Sequence, residues 1–163
     1  MDTKKEMISL ETAIGALDSA DIYASLNSTC AKVRVGSMIT DGSRVLFGCN
    51  HGVHDCKRNG CRRVELYGDN SKEHRLPSDC DAVHSEVDAI ARAARVGMKL
   101  EGATIFVTRY PCEACAKAIA ESGIKNVVYG RTQNISEYTQ QIFDNAGVQV
   151  LKIWQWYRED TTV

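Results

Sequence analysis

The chain has 163 residues, 44% of them hydrophobic and 25% charged, a size and composition that suit one domain with a sizeable core. Its formal net charge of −1 speaks against a grip on long nucleic acid, where clustered Lys and Arg must neutralise phosphates. Residues 1–6 lack the apolar core of a signal peptide, and no stretch reaches the length of a membrane span, so the expectation is an intracellular, cytoplasmic protein.

In chain order, residues 6–27 carry apolar positions at helical spacing, among them Met7, Leu10, Ile14, Leu17, Ile22 and Leu26. Val33, Val35, Met38 and Ile39 then read as a strand, Asp41-Gly42 as a hairpin turn and 44–47 as the returning partner. Residues 49–80 differ, holding Cys, His, Gly, Arg, Asp and Asn with few apolar anchors. A compact domain seldom carries a structureless loop of that length, so something other than hydrophobic packing should hold it. Helical spacing returns over 83–96, and 104–108 reads as a short buried strand. Pro111 opens a helix that runs to about Glu121 and stops at Ser122-Gly123. A strand at 126–129, a helix over 136–145 ending at Gly147, and a last strand over 148–153 follow. Trp154 and Trp156 are open between core and oligomer contact. This order, α-β-β-α-β-α-β-α-β, predicts an α/β fold: a three-layer α-β-α sandwich with a mixed central sheet of about five strands. It forms a single domain over 1–163 with a Cys/His-rich insert at about 49–80.

Seven cysteines in a reducing compartment are read first as metal ligands, and an odd number cannot pair completely. Two motifs stand out: His84-Ser85-Glu86 and Pro111-Cys112-Glu113-Ala114-Cys115. Each begins a predicted helix. Cys112 and Cys115, three apart, share a helix face, and a helix N-terminus favours thiolates. His84 and Glu86, two apart, reach one centre only if it lies off the first turn of their helix. The spacing therefore predicts two helix N-termini converging on one ion. Three protein ligands, His84, Cys112 and Cys115, leave a fourth position open, the arrangement of a catalytic rather than a structural zinc. Two thiolates cancel the +2 charge, so a water there needs a base, and Glu86 is the acid placed to serve. Alone, a His-x-Glu is commonly a solvated surface pair, and a Cys-x-x-Cys half a zinc clip or a redox pair. Together, in this order, with a strand between them and Pro before the first Cys, they match the signature of zinc deaminases.

The chain resembles the cytidine and deoxycytidylate deaminase superfamily, most closely its deoxycytidylate (dCMP) branch, over roughly residues 20–150. The motifs that carry the likeness are Ser28-Thr29-Cys30…Val35-Gly36, Gly48-Cys49-Asn50, the His84 motif through Ile90, Glu101-Gly102-Ala103-Thr104, the Pro-Cys motif and Ser122-Gly123-Ile124-Lys125. The resemblance implies hydrolysis of dCMP to dUMP and ammonia, supplying dUMP for thymidylate synthesis. His84, Cys112 and Cys115 would hold the Zn2+ and Glu86 would move the protons. It also implies that Asn50 hydrogen-bonds the sugar or phosphate of a small nucleotide substrate. A homo-oligomer, often a hexamer, and regulation by dCTP or dTTP follow from it too. Arg131, opening the loop after the strand at 126–129, is a candidate for the phosphate. Two positions depart from the family: Ser85 stands where Ala is more common between His and Glu, and Asp88 where Asn is usual.

Members of that branch hold a second, structural zinc with cysteines of the same insert. Here the insert has His54, Cys56, Cys61 and Cys80, and a closed tetrahedral site would order a polar loop that lacks a core. Cys56, Cys61 and Cys80 are the expected ligands with His54 as the fourth, and His74 and Cys49 compete for that place. Cys30, at the end of the first helix, reads as a small buried apolar residue. Two other functions compete. A tRNA adenosine deaminase uses the same zinc motif but needs a cationic surface and normally lacks such an insert. A non-catalytic zinc module would close each metal with four protein ligands and give Glu86 no role.

Overall fold

A computed structural model describes residues 8–68, 80–132 and 135–156. Two of the expectations above, the first residues of the opening helix and His74, lie outside them. Helix α1 (Leu10–Asn27) starts at Ser9, whose hydroxyl caps the Thr12 N–H. Strands β1 (Gly36–Thr40) and β2 (Val45–Cys49) form the hairpin around Gly42, where φ is +92°. After the insert come helix α4 (Ser85–Arg95), strand β5 (Thr104–Arg109), helix α5 (Glu113–Glu121), strand β6 (Asn126–Arg131), helix α6 (Glu137–Ala146) and strand β7 (Gln149–Lys152).

The five long strands make one mixed sheet in the order β2-β1-β5-β6-β7. β1 pairs antiparallel with β2 and β5, while β5, β6 and β7 run parallel. Strand period two sorts the core into two halves. Ile105, Val107, Val127 and Tyr129 face the residues of α4, α5 and α6, including Ala89, Ile119 and Phe143. Phe106 and Val128 face the other way, onto Ala13, Ala16 and Leu17 of α1 and onto Trp156. The expected three-layer sandwich is thus the observed fold, with strand ends shifted by one to three residues.

The tail resolves into two different tryptophans. Trp156 is buried, lies where a Cβ on Gly130 would otherwise stand, and donates to Asp18 Oδ1 at 2.8 Å. Trp154 is 76% exposed beneath the Lys152 ammonium.

The insert folds as its composition predicts, without a core. It holds β3 (His51–Gly52), α2 (Cys56–Asn59), α3 (Arg62–Tyr67) and β4 (Ala82–Val83), and neither of its helices buries a residue. Its two ends are tied together by the antiparallel pairing of β3 with β4, and β4 delivers the chain directly to His84. Among the described residues, no helix is long and apolar enough to cross a membrane.

Candidate active site

Two helix N-termini build the site. His84 is the N-cap residue of α4 and Cys112 the N-cap residue of α5, both with extended backbone. Neither makes a side-chain cap hydrogen bond. Their side chains turn instead to a common centre. Gly48 lets α4 come this close: a Cβ there would overlap the Ser85 carbonyl and the Ala89 amide.

His84 Nδ1 lies 3.5 Å from Cys112 Sγ and 3.3 Å from Cys115 Sγ. Among the described residues this is the one group of three possible ligand atoms that all lie within 4.8 Å of one another. Sulfur at about 2.3 Å and nitrogen at about 2.0 Å from a tetrahedral ion would stand roughly 3.5 Å apart, so the spacing fits zinc. Cys115 is buried whereas His84 and Cys112 are exposed, so the centre has an open side. The thiols share a proton: hydrogen bonding from Cys115, and then from His84, pulls Cys112 down to about 4. Cys115, holding that proton, is pushed up. The hydrogen bond to Cys112 raises His84. A cation would replace this proton.

Glu86, 4% exposed, sits in the first turn of α4 and hydrogen-bonds Cys115. Burial raises its carboxyl above the usual range, as suits a group that must hold as well as release a proton. Its carboxylate oxygen Oε2 also accepts from Ser85 Oγ at 3.0 Å.

The other expected residues are placed as follows. Asn50 is buried and holds the 28–35 loop. Its Oδ1 accepts from the Val35 amide at 2.8 Å and lies 2.9 Å from Ser28 Oγ, while Nδ2 donates to the Val33 carbonyl at 2.8 Å. Arg131 ends β6 in register with Arg109, at the strand end that leads to Cys112, and its guanidinium lies 5.1 Å from the centre of the Trp156 ring. Asp88, the acid where the family prefers Asn, accepts from the Cys49 amide and from Arg92 Nε, with His51 Nε2 3.3 Å away. Its charge is answered locally.

In the insert, His54, Cys56, Cys61 and Cys80 line one concavity. Burial, and then the neighbouring thiols of Cys30, Cys61 and Cys80, raise the Cys56 thiol. Cys30, expected to be buried, is part-buried, and its thiol is among those that raise Cys56. The reason is non-local. The chain leaves α1 at Ser28, and Lys57 Nζ donates to the Ser28 carbonyl at 2.7 Å. The Gly52 amide donates to Thr29 Oγ1 at 3.0 Å, which fixes the loop against the insert. Cys49, by contrast, is 2% exposed within β2.

Residues 14–131 match the family model of the cytidine and deoxycytidylate deaminase zinc-binding region. ComE operon protein 2 of Bacillus subtilis is 33% identical over 134 residues, 79% of this chain and 65% of that protein. The deoxycytidylate deaminase of Enterobacteria phage T2 is 44% identical over 88 residues, 51% of this chain and 47% of that protein. The matches thus span about half to two thirds of these relatives' lengths. A dCMP deaminase from the cyanophage S-TIM5, solved with dCMP and dUMP, shares the fold with a TM-score of 0.68 at 23% identity, over 90% of this chain and 99% of its own. The geometry of the two helix starts and the match of the family model across them agree: the chain belongs to the zinc-binding cytidine and deoxycytidylate deaminase family.

Proposed function

We propose that the chain hydrolyses dCMP to dUMP and ammonia, with one zinc held by His84 Nδ1, Cys112 Sγ and Cys115 Sγ. The observation that carries this reading is the three-ligand cluster with one open side and a buried carboxylate against it. Zinc bound there supplies Lewis-acid activation of the attacking water. Glu86 accepts the proton that the water sheds and delivers it to ring N3. With the C4–O bond formed, Glu86 takes the remaining proton from that oxygen and passes it to the departing amine. The C4–N4 bond breaks, ammonia leaves and the ring ends as uracil.

The choice of dCMP rests on the activity that the phage T2 relative's name carries and on the ligands of the cyanophage protein. Asn50, by resemblance, and Arg131, at the C-terminal end of the parallel strands, are the candidates for sugar and phosphate. A homo-oligomer, a hexamer by resemblance, regulated by dCTP and dTTP in the cytoplasm, completes the reading. Ammonia release from dCMP, deoxycytidine, dCTP and tRNA, each with and without added dCTP and dTTP, tests it. Turnover of dCMP above the others is expected. Turnover of tRNA alone overturns the proposal.

A second, structural zinc belongs to the same reading. Cys56, Cys61 and Cys80 would hold it with His54 as the fourth ligand, since these four side chains line one concavity. Metal analysis of the pure protein should find about two zincs per chain; about one would overturn this part.

A further inference from the structure

Ser85 and Ser37 place two hydroxyls in the buried interior beside Glu86. Ser85 is the first residue of α4 and Ser37 the second of β1, and both are fully buried. Ser37 Oγ lies 2.7 Å from Ser85 Oγ, and Ser85 Oγ lies 3.0 Å from Glu86 Oε2. The direction of the chain follows from what each group can do. A carboxylate only accepts, so Ser85 must donate to Glu86, and its lone pairs are then free to take the Ser37 proton. Two buried hydroxyls are thereby satisfied in series, and each bond polarises the next.

We propose that Ser85, backed by Ser37, is a positioning residue that fixes the Glu86 carboxylate from the central sheet. This inference rests on the proposed role of Glu86. Without the relay, the carboxylate keeps its own backbone N–H and the Cys115 thiol as partners but loses its tie to the central sheet. With it, Oε2 is held and Oε1 is left as the oxygen that exchanges protons with water and substrate. The two oxygens become inequivalent, and the side chain starts each turnover in the working orientation. Ser85→Ala is a fair probe, because it removes the hydroxyl and leaves a smaller residue of high helix propensity at the helix start.

The test is a double-mutant cycle of Ser85→Ala and Ser37→Ala on zinc-loaded protein, read by dCMP kinetics and by crystal structures. A hydrogen bond to a charged group is worth on the order of a tenfold change in rate. Ser85→Ala should lower kcat about tenfold with KM and zinc content unchanged, and Glu86 should occupy more than one orientation. Ser37→Ala should cost less, and the double variant no more than Ser85→Ala alone. Ser85→Thr, which keeps the hydroxyl, should recover part of the loss. A Ser85→Ala enzyme with kcat within about twofold of the parent and a single Glu86 orientation overturns the inference, whatever its melting temperature. So do effects of the two substitutions that multiply. If the parent turns over no cytosine nucleotide while Ser85→Ala still unsettles Glu86, the positioning holds and the deaminase reading falls.

Discussion

His84, Cys112 and Cys115 stand on helix starts whose bodies are packed into the core, whereas Cys56, Cys61 and Cys80 stand in an insert whose helices bury nothing. The first set is brought within 4.8 Å by the fold itself, through buried Ala89, Ala116 and Ile119 behind it. The insert thiols line one concavity, but among the described residues no second trio of ligand atoms comes so close. In the first region the fold makes the metal site, so metal is an addition to a finished structure. In the second, metal would help make the fold, and binding and folding become one free energy.

The comparison breaks most visibly at the first region. His84→Ala should take turnover below detection and remove about one zinc per chain while melting stays cooperative, as followed by metal analysis and circular dichroism. If metal loss there unfolded the whole chain, the fold would not be making the site. Glu86→Gln comes next: a loss of roughly a hundred- to ten-thousandfold in kcat with zinc retained. Near-normal activity in that variant would remove Glu86 from the chemistry. In the second region Cys61→Ser should lose the other zinc and expose the insert to protease. It should lower Tm by several degrees, at roughly 2–4 °C per kcal/mol lost. An unchanged melt and digestion pattern would show that the insert is held without metal. The smallest effect belongs to Asp88→Asn, which keeps the shape but leaves Arg92 and His51 without their carboxylate. About 1 kcal/mol of stability and less than about twofold in activity are expected. A tenfold gain or loss in KM would place that charge next to substrate after all.

Elements with a clear period were legible from the residues. The strands around Ile105 and Val127 and the helix from Pro111 announced themselves by spacing and punctuation, and the catalytic cluster by two compact motifs. Cys30 was not legible, because its neighbours come from a loop docked through Thr29 and Lys57 onto residues distant in sequence. The Ser37–Ser85 contact was hidden for the same kind of reason. It depends on the register of β1 and on the close approach of α4 that Gly48 permits, and neither is a local property. Trp154 and Trp156 looked alike in sequence, and only the gap over Gly130 separates them.

Both α4 and α5 begin at a residue whose side chain faces the shared centre rather than its own backbone. A single ion seated between them would act as a common lid for two first turns, clasping segments 28 residues apart in the chain. Chelation would then be a mechanical event as well as a chemical one. Amide protons at residues 85–87 and 113–115 should exchange with solvent first, while those of β5, fully flanked in the sheet, stay locked.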